Sequence, residues 1–255
     1  MKLSVVIPAF NGLDLVLRCL NSLQALASGP CEYLVQDDES PSVFYPGLIP
    51  PQMASVERNA ANLGFAGNVN AGVARATGDV LFIVNQDVQA VYGWSEHWNE
   101  ALLAPFEDAA MGMVGARLLH TNGAIQSAGG VIDANCQPWH RYLNYSNPHA
   151  PEVSTPGEVS WVTGAAMAIR ADLFRQLGGF DTAYVNGYWE DVDLSMKVRQ
   201  AGYRIWYEPR CTLVHAVGST GGNPNFLKNA LLWKSRWVDT GFVKPEVSYV
   251  HVRYW

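Results

Sequence analysis

Residues 3–36, LSVVIPAFNGLDLVLRCLNSLQALASGPCEYLVQ, contain the pattern that decides the fold of this chain. Residues 3–9 are an almost unbroken apolar run, which predicts a buried strand. Residues 13–28 place apolar side chains at helical spacing, and residues 32–36 form a second strand-like run. This order of strand, helix and strand predicts two parallel strands, because a parallel pair needs a long crossover connection.

The alternation continues along the chain. A short helix near Asn68 leads to a third strand over residues 80–84 (VLFIV), and residues 121–158 predict loops with a hairpin. The remaining patterns predict helices over 94–104, 171–177, 190–201 and 225–239, and strands over 111–119, 160–170 (broken at Gly164), 203–207 and 211–215. We therefore expect an α/β fold with a mostly parallel central sheet flanked by helices.

Composition limits the class of protein. The 255 residues are 49% hydrophobic and 16% charged, which is enough apolar material for one well-packed domain. Lys and Arg total 17 against 23 Asp and Glu, so broad nucleic-acid binding is not expected. Apolar runs are too short to span a bilayer, and the four cysteines lack a CxxC spacing. These features predict a cytoplasmic protein without a disulfide framework or a zinc site.

Polar clusters follow the predicted strands. They are residues 8–11, 37–40, 85–87 and the pair Glu190-Asp191. The carboxyl ends of parallel strands meet at one edge of a sheet, where ligands bind in α/β folds. Taken singly, each carboxylate could instead cap a turn or a helix. Their joint position at strand ends favours a site.

Three further features carry possible chemistry. Residues 62–72, NLGFAGNVNAG, combine glycines and asparagines in the manner of a tight polar loop near a helix start. His215 ends a predicted strand, and an imidazole beside the Asp87 carboxylate would suit Mn²⁺ and, less typically, Mg²⁺. The aromatic residues Tyr184, Tyr188 and Trp189 could be core or could stack on a sugar ring.

A set of motifs in this order resembles glycosyltransferase family 2, with the GT-A fold, and especially its bacterial rhamnosyltransferase-like group. The motifs are VVIPAFN (5–11), DDES (37–40), NLGFAGNVNAG (62–72), LFIVNQDV (81–88), GAAMAIRADLFRQLGGFD (164–181) and YWEDVDLSMKVRQAGYRIWYEPRCTLVH (188–215). The resemblance covers about residues 3–220. Each motif alone is weak, and the ordered set is specific.

The resemblance implies an inverting transfer of a sugar from a nucleotide diphosphate donor to a hydroxyl of a glycan or lipid-linked acceptor. A dTDP- or UDP-sugar is the expected donor, with dTDP-rhamnose the first choice. The donor-binding positions carried over are Pro8, Ala9, Phe10, Asp37, Asn62, Gly64, Phe65, Gly67, Asn68 and Asn85. Asp87 and His215 would hold a divalent cation, Mg²⁺ or Mn²⁺. Asp191 is the expected catalytic base with Glu190 as the alternative, and Trp189 is expected at the acceptor.

The chain departs from the family pattern where the usual D-x-D motif reads Asn85-Gln86-Asp87, with one carboxylate. A catalytically silent nucleotide-sugar-binding subunit, scaffolding a partner transferase, is therefore the alternative function. A nucleotidyltransferase is disfavoured because the stretch at residues 8–12 (PAFNG) lacks Lys and Arg.

The domain organisation expected from the sequence is a glycosyltransferase domain over 1–220, with a C-terminal amphipathic helix and tail over 221–255 in the same domain. The apolar stripe of the helix over 225–239 either packs on that domain or rests weakly on the inner face of a membrane. The stripe consists of Phe226, Ala230, Trp233 and Trp237.

Overall fold

A computed structural model describes residues 1–41, 46–216 and 224–246. The strands are β1 (Leu3–Ala9), β2 (Glu32–Asp37), β3 (Ser55–Arg58), β4 (Val80–Val84), β5 (Val88–Ala90), β6 (Met111–Leu119), β7 (Ile125–Ser127), β8 (Gly130–Ile132), β9 (Pro138–His140), β10 (Gly157–Glu158), β11 (Ala166–Arg170) and β12 (Arg204–His215). The α-helices are α1 (Leu13–Leu26), α2 (Gly64–Ala74), α3 (Trp98–Leu103), α4 (Pro151–Ser154), α5 (Ala171–Gln176), α6 (Glu190–Gln200) and α7 (Phe226–Trp233).

The central sheet runs in the order β10-β12-β6-β11-β4-β1-β2-β3. Strands β3, β2, β1 and β4 are mutually parallel, and β6 and β12 run in the same direction on the far side of antiparallel β11. Six of these eight strands therefore share one direction, and the predicted mostly parallel α/β sheet is confirmed. Strands β1 and β4 are buried along their whole length, which explains their continuous apolar sequences.

The sheet separates two apolar cores. One face of β1 and β4 packs with Leu20 and Leu23 of α1, and the other packs with Val69 of α2. Because side chains alternate across a strand, one apolar run serves both cores. The helices thus hold the sheet from both sides, and the strand ends at its carboxyl edge carry the polar clusters.

Helix α2 begins at Gly64, and the prediction of a start near Asn68 was wrong by about one turn. Gly64 has a φ of +70°, a conformation that suits glycine and turns the chain into the helix. Helix α3 likewise begins at Trp98, later than the predicted residue 94. Its preceding residue, His97, has a φ of +57°, so a helical backbone cannot extend through it.

Two strand predictions were also wrong in extent. Residues 204–215 form one strand, β12, which pairs with β6 along its length and has an irregularity between Glu208 and Thr212. The strand expected over 160–170 begins only at Ala166, while Trp161 makes an isolated bridge to Gly130. Pairing with distant strands decided both boundaries.

The C-terminal segment consists of α7 and a single π-helical turn, Lys234–Val238. Trp233 and Trp237 are buried in a cluster with Tyr184, Val192 and Met196. Within the described ranges, no helix is both long enough and apolar enough to cross a membrane.

Candidate active site

The carboxyl ends of β1 and β4 are joined by one side chain, Gln86. Its Oε1 accepts a hydrogen bond from the Phe10 N–H (3.0 Å), and its Nε2 donates to the Phe10 carbonyl (3.1 Å). Phe10 is 40% exposed, whereas Pro8 and Ala9 are buried. Backbone groups after β1 are thereby held beside the Asn85-Gln86-Asp87 turn.

The end of β2 forms a tight turn around Asp37, whose side chain is fully buried. Its Oδ1 accepts hydrogen bonds from the Ser40 hydroxyl and from the Ser40 N–H (3.1 Å), and its Oδ2 accepts one from Arg58 Nη1 (3.2 Å). A carboxylate has about four lone-pair positions, so the bonds from described residues leave one for a further donor.

The residues before and inside α2 are bound to the same turn. The Asp38 Oδ1 accepts a hydrogen bond from the Leu63 N–H (2.8 Å), and the Asp38 carbonyl accepts one from the Asn62 side chain (3.0 Å). The Asn68 amide donates to the Gln36 carbonyl (3.0 Å) and, at 3.4 Å, to the Ala9 carbonyl. The motif at 62–72 is thus joined to the ends of β1 and β2.

Two positions of this motif make close packing contacts, one with a distant segment and one within the motif. The Phe65 ring lies 5.8 Å from the Phe180 ring, between centroids. A Cβ at Gly67 would lie 2.7 Å from the Leu63 Cβ, so the start of α2 needs glycine there.

Asp87 and His215 lie together, as the sequence predicted for a metal-binding pair. The His215 Nε2 is 3.1 Å from the Asp87 Oδ1, and its Nδ1 is hydrogen-bonded to the Gln126 Oε1 (2.8 Å). The side-chain oxygen of Asn85, two residues before Asp87, is buried and lacks a hydrogen-bond partner among the described residues.

This donor set fits a divalent cation in part. A carboxylate, an imidazole and an amide oxygen are suitable ligands for Mn²⁺. In the part of the chain that the structure describes, no group of three or more His, Cys, Asp or Glu residues could hold a metal ion. A cation bound here would therefore need further ligands from a donor diphosphate or from water.

The acidic pair stands at the first turn of α6, next to the end of β4. The Asp191 carboxylate accepts hydrogen bonds from the N–H groups of Gly164 (3.0 Å) and Val192 (2.8 Å). The neighbouring Ala165 carbonyl accepts one from the Asn85 N–H (3.0 Å). Gly164, which donates to Asp191, is therefore adjacent in the chain to Ala165, which binds the residue after β4.

The two carboxyls of the pair have different environments. Burial, followed by the negative charge of Asp191, raises the pKa of Glu190 well above its usual value. Burial also raises the pKa of Asp191, but its backbone hydrogen bonds act in the opposite direction. The Glu190 Oε2 is buried without a hydrogen-bond partner among the described residues. Asp191 is thus the member better suited to carry the negative charge, and Glu190 the member with the stronger tendency to hold a proton.

We expect Glu190→Gln to raise the thermal midpoint at pH 8 relative to wild type, with little change near pH 4. The pKa of this carboxyl is higher in the folded state than in the unfolded state. The free energy of unfolding therefore decreases as the pH rises from the unfolded-state pKa to the folded-state pKa. Each kcal/mol regained moves the midpoint by about 2–4 °C in a chain of this size. The exposed Glu100, in the first turn of α3, gives a matched Glu→Gln control. An equal effect of Glu190→Gln at both pH values would contradict the assignment.

Trp189, the expected acceptor residue, packs against the C-terminal helix. Its ring centroid lies 5.7 Å from that of Phe226 and 5.4 Å from that of Trp233. The adjacent Tyr188 is 51% exposed and is the more accessible ring for stacking on a sugar. A role of Trp189 at the acceptor stays a prediction.

Several residues of the site were not found from the sequence. Gln86 joins two strand ends, Gln126 orients His215, and Gly164 donates to Asp191. Gln86 and Gly164 lay inside motifs that the sequence marked, but nothing in the sequence indicated their roles, and Gln126 lay outside those motifs. Gln126 and Gly164 each reach their partner across at least 27 sequence positions.

The comparison with protein families agrees with this site. The family model described as "Glycosyl transferase family 2" matches residues 4–178. The chain belongs to glycosyl transferase family 2. This confirms the family predicted from the ordered motifs. The matched region contains the carboxyl ends of β1, β2 and β4, whereas Asp191 and His215 lie beyond it.

Similar curated proteins support the resemblance to the rhamnosyltransferase-like group. The N-acetylglucosaminyl-diphospho-decaprenol L-rhamnosyltransferase of Mycobacterium tuberculosis is 28% identical over 242 residues, which cover 81% of this chain and 74% of that protein. The O-antigen biosynthesis protein RfbC of Myxococcus xanthus is 27% identical over 84% of this chain and 17% of its own length. The match to this chain covers between 17% and 42% of the length of several curated relatives.

The fold is that of GT-A glycosyltransferases, as predicted. The crystal structure of GalNAc-T7 with UDP, GalNAc and Mn²⁺ superposes with a TM-score of 0.72 at 20% identity. The match covers 93% of this chain and 48% of that one. At this level of identity the likeness concerns the fold alone.

Proposed function

We propose that this chain transfers a sugar, with inversion, from a nucleotide diphosphate donor to a hydroxyl of a glycan or lipid-linked acceptor. The observation that carries the proposal is the place of Asp191. Its carboxyl group accepts a hydrogen bond from the Gly164 N–H, and the neighbouring Ala165 carbonyl accepts one from the Asn85 N–H, so this carboxyl group stands next to the end of β4.

The chemistry requires such a carboxylate. In an in-line displacement the acceptor hydroxyl loses its proton while it attacks the anomeric carbon, and Asp191 accepts that proton as general base. The buried Glu190 binds an acceptor hydroxyl or keeps Asp191 in place. The departing diphosphate gains negative charge, which a divalent cation at Asp87 and His215 would neutralise.

The donor is a dTDP- or UDP-linked sugar, with dTDP-rhamnose the first choice. The rhamnosyltransferase among the relatives supports rhamnose as the sugar. Pro8, Ala9, Phe10, Asn62 and Asn68 border the donor, largely through backbone and amide groups. The remaining proposed donor contacts are Asp37, Gly64, Phe65, Gly67 and Asn85.

A silent nucleotide-sugar-binding subunit is less consistent with the acidic pair. Two adjacent carboxyls, one of them buried without a hydrogen-bond partner in the described structure, reduce folding stability. Perturbed carboxyls of this kind cluster at active sites. A subunit that only binds nucleotide sugars would gain nothing from keeping them.

A thermal-shift screen of nucleotide sugars with and without Mn²⁺ or Mg²⁺ tests the function, followed by detection of the released nucleotide. A ligand that binds the folded state raises the midpoint, by an amount that grows with its concentration. We expect the shift to be largest with a dTDP-sugar and Mn²⁺, and turnover to accompany it. Binding without turnover for every acceptor tested would favour the silent subunit.

Asp37→Ala is expected to weaken the binding of dTDP and of its sugar conjugate by the same factor. The proposed partner of this carboxylate is the pyrimidine base, so loss of a charge-assisted hydrogen bond, worth about 1.5–3 kcal/mol, affects both ligands equally. Isothermal titration with both ligands measures the ratio. Asp14→Ala, which removes a 71% exposed side chain paired with Arg18, is the control. A loss confined to the sugar conjugate would place Asp37 at the sugar instead.

The proposed location is the cytoplasm, with a weak contact of α7 on the inner face of a membrane. The tryptophans of the predicted stripe pack on the domain, whereas its first residue, Phe226, belongs to an exposed face of α7. Phe226, Leu227 and Leu231 are 50–69% exposed, with Lys228 and Lys234 exposed nearby. Apolar side chains beside lysines suit an anionic bilayer surface that carries a lipid-linked acceptor.

Sedimentation with anionic vesicles tests this contact. We expect weak binding at low salt that high salt abolishes, since each Lys near the surface contributes about 1 kcal/mol. The double variant Leu227→Ser, Leu231→Ser should lose it. Tyr92→Ser, at a side chain that is 74% exposed elsewhere, is the control. Equal sedimentation of all three proteins would refute a role of α7.

A further inference from the structure

The backbone directly before the acidic pair has an unusual conformation. Asn186, Gly187, Tyr188 and Trp189 have φ angles of 58°, 86°, 66° and 81°. Three of these four consecutive residues are not glycine, and side chains disfavour the left-handed region. Such a run persists only where surrounding contacts hold it.

One side chain from the C-terminal helix supplies such contacts. Asn229 of α7 is fully buried. Its Nδ2 donates to the carbonyls of Val185 (3.1 Å), Gly187 (3.0 Å) and Tyr188 (3.2 Å), while its Oδ1 accepts the Val185 N–H (3.3 Å). A single amide thereby contacts the backbone at both ends of the left-handed segment, about 42 positions away in sequence.

The helix that carries Asn229 is itself anchored to α6. The Trp237 Nε1 donates to the Asp193 Oδ1 (2.8 Å), and Trp233 is buried against the ring of Trp189. The acidic pair is consequently enclosed between two attachments to the C-terminal segment, one before it at residues 185–188 and one after it at Asp193.

We propose that Asn229 is a positioning residue for the acidic pair: by binding the backbone of residues 185–188 it holds residues 186–189 in the left-handed conformation that precedes α6, with Asp191 directed at the site. The inference rests on the proposed function for its catalytic consequence. Asn229 belongs to the C-terminal segment of the chain and lies outside residues 4–178, the part matched by the family model.

The chemistry of the contact explains why an amide is suited to it. Carbonyl groups need a donor and the Val185 N–H needs an acceptor, and the amide of Asn supplies both. Aspartate has no N–H to donate and would set a charge against three carbonyl oxygens. Leucine has a similar size and makes no hydrogen bond, so Asn229→Leu removes the contact while filling the space.

Asn99 provides a matched control. It is also buried, and its amide binds a distant loop, accepting from the Ser28 N–H (2.8 Å) and donating to the Ser28 carbonyl (2.7 Å). Asn99→Leu therefore removes a similar contact away from the strand ends that carry the site. Comparing the two variants separates loss of positioning from general loss of stability. Asn229→Ala serves as a second variant should the leucine fail to fold.

Two measurements are made on the whole chain below the thermal midpoints of all variants. The first is hydrogen–deuterium exchange of peptides covering residues 185–193. The second is turnover of dTDP-rhamnose with Mn²⁺, measured as kcat together with the Kd for dTDP. We expect Asn229→Leu to speed exchange in this segment and to lower kcat by about 10²-fold, because small displacements of a catalytic group cost that much. The Kd for dTDP should change less than about twofold, whereas Asn99→Leu should change none of these quantities.

Unchanged exchange in Asn229→Leu overturns the proposal, and so does faster exchange with an unchanged kcat. An equal loss of kcat in Asn99→Leu also overturns it, since the effect would then be general. Should wild type not turn over dTDP-rhamnose, that donor is refuted separately. The exchange result then still supports the contact if only the Asn229 variant changes, and overturns it otherwise.

Discussion

Asp191→Asn is expected to lower the rate of sugar transfer by about 10²–10⁴-fold, the range that a general base contributes. An amide cannot accept the proton of the attacking hydroxyl. Its oxygen can still accept the hydrogen bond from the Gly164 N–H, so the fold and donor binding should persist. Steady-state kinetics and titration of the nucleotide on the same preparation measure both effects.

The comparison with Glu190→Gln decides which carboxyl is the base. Because the buried Glu190 Oε2 has no hydrogen-bond partner in the described part of the chain, we expect the smaller loss of kcat for that variant. Asp172→Asn, at an exposed position in the first turn of α5, is the control and should leave the rate unchanged. An active Asp191→Asn together with an inactive Glu190→Gln would transfer the role to Glu190.

Asp193→Ala is expected to destabilise the fold by about 3–5 kcal/mol, as removal of one partner from a buried charged network does. The Asp193 Oδ1 accepts hydrogen bonds from the Tyr184 hydroxyl (2.9 Å) and the Trp237 Nε1 (2.8 Å). Lys197 and Arg236 lie within 3.0 and 3.4 Å of its two oxygens. All four groups would lose this acceptor, so urea unfolding should show a much lower midpoint.

The exposed ion pair between Asp239 and Lys234 supplies the contrast. Asp239→Ala should change the free energy of unfolding by less than about 1 kcal/mol, because exposed pairs contribute little. Similar losses for both variants would mean that Asp193 is not the attachment between α6 and the C-terminal segment.

Local patterns predicted much of the fold. The strands at 3–9, 80–84 and 111–119 have the predicted bounds, since a buried strand must be apolar throughout. Where long-range pairing decides the boundary, prediction from local pattern failed. Residues 203–215 appeared as two strands, but pairing with β6 holds them as one.

The candidate site, like the fold, could be predicted from the sequence only in part. The residue types at strand ends, among them Asp37, Asp87 and His215, could be selected from the sequence because parallel strands bring their carboxyl ends to one edge. Asp191 was selected with them, but it lies in the first turn of α6 and not at a strand end. Their partners could not be selected. Polar residues such as Gln126 occur throughout the chain, and nothing local distinguishes one that orients a histidine 89 positions away.

The amino-acid sequence by itself determined the α/β sheet, its family and the edge at which the polar groups gather, because strand periodicity and chain order are local properties. Only the tertiary structure decided how those groups are held. Gly164 reaches Asp191, Gln86 joins two strand ends, and Asn229 holds the segment before the acidic pair. Hydrogen bonds between distant segments depend on the packed positions of both partners, and those positions exist only after the sheet and its helices have assembled.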